Sequence, residues 1–152
     1  MKSRLWNLDK DYNHLVKWWA QYDFGTVPKQ CLPPEGIMVE NNNTPICAGG
    51  LYSCTGTKFG FLEWIVADKS APLKVTHKAL NLCIQELLLL AKKYKIELVY
   101  SMTANKSLHK RYTKYHKMKL VEEHVKTFLS DLSGKYDNLE WITSEEILNG
   151  NR

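Results

Sequence analysis

The side chains of this 152-residue chain with the densest chemical potential lie between residues 105 and 119. There Lys106, His109, Lys110, Arg111, Lys114, Lys117 and Lys119 are interleaved with Tyr112 and Tyr115. Basic residues at this density attract anions, and alternation with aromatic rings suits phosphate contact combined with base stacking. The commoner fate of such a cluster is a solvated basic face, and charge alone does not separate the two. The surroundings are also basic. Residues 71–126 carry twelve Lys/Arg against four Asp/Glu, whereas residues 1–70 carry seven of each and residues 127–152 carry two against five. The middle of the chain is therefore its anion-facing part. Metal chemistry is not indicated, because His14, His77, His109, His116 and His124 show no ligand spacing with one another or with cysteine. The cysteines, Cys31, Cys47, Cys54 and Cys83, form no C-x-x-C pair, and Cys83 falls within an apolar helical stripe. All four read as reduced packing residues.

These groups need a scaffold. The length suits one domain, and 44% hydrophobic against 24% charged residues excludes a disordered chain. Residues 1–11 hold Lys2, Arg4, Asp9, Lys10 and Asp11, which leaves no apolar core for a secretory signal. The longest apolar run, residues 87–91, is too short to span a bilayer. A cytoplasmic protein without membrane contact is expected.

The hydrophobic pattern gives an order of elements. Residues 4–8 suit a short strand. Residues 11–22 suit an amphipathic helix, with Leu15, Trp18 and Trp19 on one face and Asp11 as cap. Gly25, Pro28, Pro33 and Pro34 make residues 24–34 an irregular, exposed loop of the kind that borders substrate sites. Strands are expected over residues 37–40, 46–54 and 59–67, joined by turns at residues 41–45 and 55–58, as an antiparallel meander. Residues 78–93 put Ala79, Leu82, Cys83, Leu87, Leu90 and Ala91 on one helical face, and Lys92 and Lys93 suit its C-terminal end. A strand over residues 96–102 completes a crossover, so it runs parallel to its partner. A short helix follows over residues 105–115, then one or two strands over 120–129. Residues 131–152 form a polar extension beyond the domain of residues 1–130.

This order resembles the GNAT superfamily of acetyl-coenzyme A (acetyl-CoA) dependent N-acetyltransferases, and two stretches carry most of the likeness. Glu63-Trp64-Ile65-Val66-Ala67-Asp68 looks like the family's fourth strand, and Asn105, Leu108 and Tyr112 fall on an Asn, apolar and Tyr pattern three and seven residues apart. The resemblance implies an α/β fold: a mixed, mostly antiparallel sheet with splayed fourth and fifth strands, flanked by helices. It further implies that Ile65, Val66 and Ala67 line the pantetheine arm, that Asn105 and Ser107 lie near the cofactor, and that Tyr112 is general acid to the departing thiolate, with Tyr115 as a substitute. Glu63, in the strand beside the thioester, is the implied base; its plain alternative is a solvent-facing strand residue.

Two departures stand out. Where the family usually continues with Gly-Phe after the Tyr, this chain has His116 and Lys117, then Met118. Before the central helix the glycine-rich phosphate loop is replaced by Pro72, Val75 and His77 at its signature positions. The phosphate role would fall to helix amides over residues 74–78, with Lys74, Thr76, His77 and Lys78 adding side-chain contacts beside Val75, while the basic cluster from Lys106 to Lys119 would attract the adenosine 3′-phosphate. Two readings therefore stand: an acetyl-CoA dependent enzyme acting by direct attack of an amine acceptor, or a non-catalytic module of the same fold that binds nucleic acid or an acidic protein. The acceptor's class and homodimerisation stay open.

Overall fold

The computed structural model describes residues 1–121. Strand β1 (Lys2–Leu5) leads into helix α1 (Leu8–Gln21), which starts earlier than the apolar stripe suggests because Asn7 is its cap and accepts the Asp9 amide. Asp11 has a different task from the expected one. It is buried, and its carboxylate accepts both Arg4 guanidinium arms at 2.7 and 2.8 Å and the Asn7 amide at 2.7 Å. Arg4 Nε donates to Glu40 at 2.8 Å. One guanidinium thus ties β1, α1 and the next strand together.

This knot gives a stability prediction. Burial pushes the Asp11 pKa up, but the bonds from Arg4 and the Asn7 amide outweigh it and hold the group below its ordinary 3.8. A carboxylate depressed by folding contributes stability above its unfolded pKa and loses it as pH falls through the folded value. Asp11→Ala removes three charge-assisted bonds and should cost about 3 kcal/mol in urea denaturation at pH 7. The cost should shrink below pH 3.8; a cost under about 0.5 kcal/mol, the range of neutral surface changes, would refute the knot's role.

Residues 24–34 are less irregular than the glycine and prolines suggest. They contain a short 3₁₀ turn at Lys29–Cys31, bury Val27, Leu32 and Pro33, and are pinned where Tyr12 and Tyr52 hydroxyls donate to the Val27 and Cys31 carbonyls. The buried residues between the breakers, invisible to a reading of turn formers, anchor the loop alongside these two bonds.

The meander follows expectation: β2 (Glu35–Asn41), β3 (Thr44–Ser53) and β4 (Phe59–Ala67). Asn42 and Asn43 take φ of 51° and 61° in the first turn, the left-handed pair that favours Asn in tight hairpins. Helix α2 (Leu73–Lys93) begins five residues before the expected start, because Pro72 ends the extended segment and residues 73–77 continue the helical path. β5 (Leu98–Tyr100) is shorter than expected. The sheet runs β1-β2-β3-β4-β5, antiparallel except for the parallel β4·β5 pair.

Apolar residues cover both faces. Val39, Cys47, Leu51 and Leu62 pack under Cys83 and Leu87 of α2, while Met38, Ala48 and Val66 pack with Leu15, Trp18 and Trp19 of α1. The alternation of Met38 with Val39, and of Cys47 with Ala48, is the period of two that a strand requires. All four cysteines are free, but Cys31 is exposed, so it is not the packing residue expected; Cys47 and Cys83 are.

Helix α3 (Lys106–Lys110) passes directly into one π turn, Arg111–Tyr115. The π turn adds a residue, and its effect is visible downstream. His116 has φ −110°, and the left-handed position falls on Lys117 at 58°, one place later than the family pattern implies. Most of the strands expected over 120–129, and the extension 131–152, lie outside the described residues. Among the described residues no helix is long and apolar enough to cross a membrane.

Candidate functional site

The site begins at a fault in β4. Against β3, Gly50 pairs with Glu63 and Ala48 with Val66, so two residues of β4 face the single Gly49. This is a β-bulge, and it forces Trp64 to φ 60°, a conformation non-glycine residues seldom adopt. Gly49 suits the place: a Cβ there would come within 2.8 Å of Ile65 Cγ1 and 2.9 Å of Leu87 Cδ1. A bulge bends the strand that carries it, here β4, which also pairs with β5. Their pairing covers Phe59, Gly60 and Phe61 against Leu98, Val99 and Tyr100, and stops there. The two strands share these three pairs and no more, and among the described residues, residues 62–67 pair on the β3 side alone.

Glu63 stands at the fork. The Met102 amide, on the chain leaving β5, donates to Glu63 Oε1 at 3.1 Å, so the carboxylate spans the opening. Burial lifts its pKa from 4.5 to about 7, with the Met102 bond pulling weakly the other way. Glu63 is half-buried at this position. Ile65 packs against the α2-side core, and Val66 and Ala67 are buried on opposite faces, so what these residues offer the opening is backbone.

Across the fork lies Tyr112, also buried. Its hydroxyl is 2.9 Å from Ser101 Oγ, one residue beyond β5. Burial pushes the phenol pKa well above 10, the Ser101 bond opposes this, and the Glu63 charge adds to it. Asn105 caps α3: its side-chain oxygen accepts the Ser107 and Leu108 amides at 2.9 and 3.3 Å. Its pattern match to the family therefore reflects helix initiation at least as much as ligand contact.

A second feature lies between the first turns of α2 and α3. A cavity of about 190 Å³ is lined by His77, Ser107, Lys110, Arg111 and Tyr115. Of the residues expected to hold phosphate, only His77 is on its wall, joined by Ser107, which is expected near the cofactor; Lys74 and Lys78 are exposed elsewhere on α2, Val75 packs against the core, and the Thr76 hydroxyl turns back to the Ala71 and Pro72 carbonyls. Arg111 is not the surface cation the sequence cluster suggested but is buried. A signal for this existed, since Arg111 and Tyr112 follow the apolar Leu108 at helical spacings of three and four. No comparable signal marks Trp64, Ser101 or Met102. Tyr115 is 44% exposed on the cavity rim and makes an edge-to-face contact with the His77 ring.

No family model matches the chain, and no curated protein matches it. Solved structures do. A Mycobacterium tuberculosis protein crystallised with CoA and NLQ superposes with a TM-score of 0.61 at 13% identity, covering 74% of this chain and 70% of that one. Glucosamine-6-phosphate N-acetyltransferase from Arabidopsis thaliana gives 0.60 at 11% identity, over 85% and 98%. An aminoglycoside acetyltransferase from an uncultured soil metagenomic sample, in complex with trehalose, gives 0.59 at 12%, over 86% and 95%. With its mixed five-stranded sheet, the bulge in the fourth strand and the parting of the fourth from the fifth, the chain has the GNAT acetyltransferase fold.

Proposed function

We propose that this chain is an N-acetyltransferase that passes an acetyl group from acetyl-CoA directly to an amine. The observation that carries the reading is the fork itself: strands that part after Phe61 and Tyr100, with a carboxylate of raised pKa at the opening. The residues present fit such a cofactor. The unpaired edge of β4 at Ile65, Val66 and Ala67 suits an amide-bearing tether, and the cavity between α2 and α3 is lined by donors and cations. Bound there, acetyl-CoA would supply an activated acyl carbon.

The chain's own groups would do the rest. Glu63 would take the proton from the attacking amine at Oε2, the oxygen its Met102 bond leaves open. Its raised pKa makes it a stronger base than an ordinary carboxylate. Tyr112 would hold its proton at the phenol oxygen and present it toward the leaving group, fixed in place by Ser101. The fold's relatives differ in acceptor, and residues 24–34, pinned beside β3 through Tyr52, are the segment that would shape the acceptor side.

The nucleic-acid alternative loses support on one point. Tyr112 is buried and cannot stack on a base, which leaves Tyr115 without its partner ring. Titration calorimetry with acetyl-CoA tests the proposal. A dissociation constant on the order of 1–100 µM is expected. No heat with about 1 mM ligand would remove the enzymatic reading.

A further inference from the structure

The walls of the cavity between α2 and α3 contain more donors than acceptors. Arg111 is 7% exposed, and no carboxylate pairs with it among the described residues. Its Nη1 is held by neutral groups alone: the His77 carbonyl at 3.2 Å, Asn81 Oδ1 at 3.0 Å and His77 Nδ1 at 3.2 Å. Among the described residues its Nε is buried without a hydrogen-bond partner. A buried cation so placed is costly unless an anion joins it.

The proton inventory sharpens the point. Arg111 Nη1 meets His77 Nδ1 as a donor, and a neutral imidazole carries one ring hydrogen, either on Nδ1 against Arg111 or on Nε2. Yet Nε2 faces the Asn81 side-chain nitrogen at 3.3 Å, which is also a donor, while Asn81 Oδ1 is already engaged by Arg111. Whichever ring nitrogen carries the hydrogen, two donors meet on that side without an acceptor between them. Lys110 and Ser107 add further donors on the same wall, and Tyr115 closes the rim.

We infer that the cleft formed by Arg111, His77, Lys110 and Ser107 grips a phosphate group through side chains, in place of the glycine-loop amides this chain lacks. A phosphate oxygen supplies the acceptor that these donors lack, and the cavity is large enough to admit one. The grip comes mainly from the helix after β5 rather than from the loop before α2. That the phosphate belongs to CoA rests on the proposed function; the grip itself does not.

The experiment compares CoA, 3′-dephospho-CoA, phosphate-free pantetheine and inorganic pyrophosphate by calorimetry on the wild-type chain and on Arg111→Gln, Lys110→Ala and Ser107→Ala. Removing one charge-assisted contact should weaken CoA about 10- to 100-fold for Arg111→Gln and about 3- to 10-fold for Lys110→Ala, with pantetheine unaffected. Sensitivity to Arg111 that persists with dephospho-CoA assigns the site to the diphosphate, and sensitivity that vanishes assigns it to the 3′-phosphate; either supports the grip. Unchanged CoA affinity in folded Arg111→Gln and Lys110→Ala overturns the grip and leaves the acetyl-CoA reading intact. Pyrophosphate binding that depends on Arg111, without any CoA binding, supports the grip and removes the acetyl-CoA reading. Binding of neither overturns both. Should Arg111→Gln fail to fold by circular dichroism, exposed Lys110 and Ser107 decide the question.

Discussion

Glu63→Gln should lower the rate of acetyl transfer by roughly 10²- to 10⁴-fold with any amine the wild-type chain acetylates, while leaving acetyl-CoA affinity within a few fold. The argument starts from the proton. An alkylammonium holds its proton with a pKa near 10.4, so a carboxylate at its ordinary 4.5 is a poor acceptor, whereas one lifted to about 7 by burial is better by two to three powers of ten. Glutamine keeps the shape and still accepts the Met102 amide through its carbonyl oxygen, so the strand fork should survive the change. In the wild type, kcat/KM should rise with pH and level off above about 7, where Glu63 is ionised. A variant with the same pH profile and rate would move the base elsewhere.

The same substitution has an opposite effect on stability, and this effect needs no acceptor to measure. Burial raises the carboxyl from 4.5 unfolded to about 7 folded, so between those values the folded state binds more protons. Stability present below about 4.5 is therefore lost as pH rises, and the loss is complete above about 7. At 1.36 kcal/mol per unit the loss is on the order of 3 kcal/mol. Glu63→Gln should thus be more stable than wild type at pH 8 and nearly equal to it at pH 4. A melting-temperature difference that does not grow across this range would mean that the carboxylate is solvated after all.

Much of the scaffold was legible because its signals are local. The hairpin turn at Asn42 and Asn43, the apolar faces of α1 and α2 and the bounds of β4 follow from turn chemistry and periodicity. Family resemblance supplied the position of Glu63, but not its surroundings: it lies beside a bulge at Trp64, where no glycine announces a left-handed backbone. The helix start was misjudged because residues 73–77 lack an apolar stripe strong enough to mark them. Asp11 reads as a cap because sequence shows its proximity to a helix start but not Arg4 arriving from β1. The turn after Tyr112 could not be counted correctly, since a π turn inserts a residue without any compositional mark. Arg111 shows the opposite case, a residue whose helical phase predicted burial but whose charge argued for the surface.

Tyr112→Phe should lower kcat about 10- to 150-fold without shifting the pH at which the rate levels off. A phenol held well above 10 by burial and by the Glu63 charge keeps its proton throughout the working range. A leaving thiol ionises near 8.5, so complete transfer of the phenolic proton to a thiolate runs uphill, and the hydroxyl contributes as a charge-assisted hydrogen-bond donor instead. Such a bond is worth about 1.5–3 kcal/mol, which sets the size of the loss. Phenylalanine fills the same volume, and half-buried Ser101, deprived of the 2.9 Å contact, can turn to water, so the melting temperature should move little. A true proton-transfer acid would show a falling alkaline limb in the wild type that disappears in Tyr112→Phe. An unchanged turnover in the folded variant would pass the donor role to Ser101, whose substitution by alanine should then carry the loss.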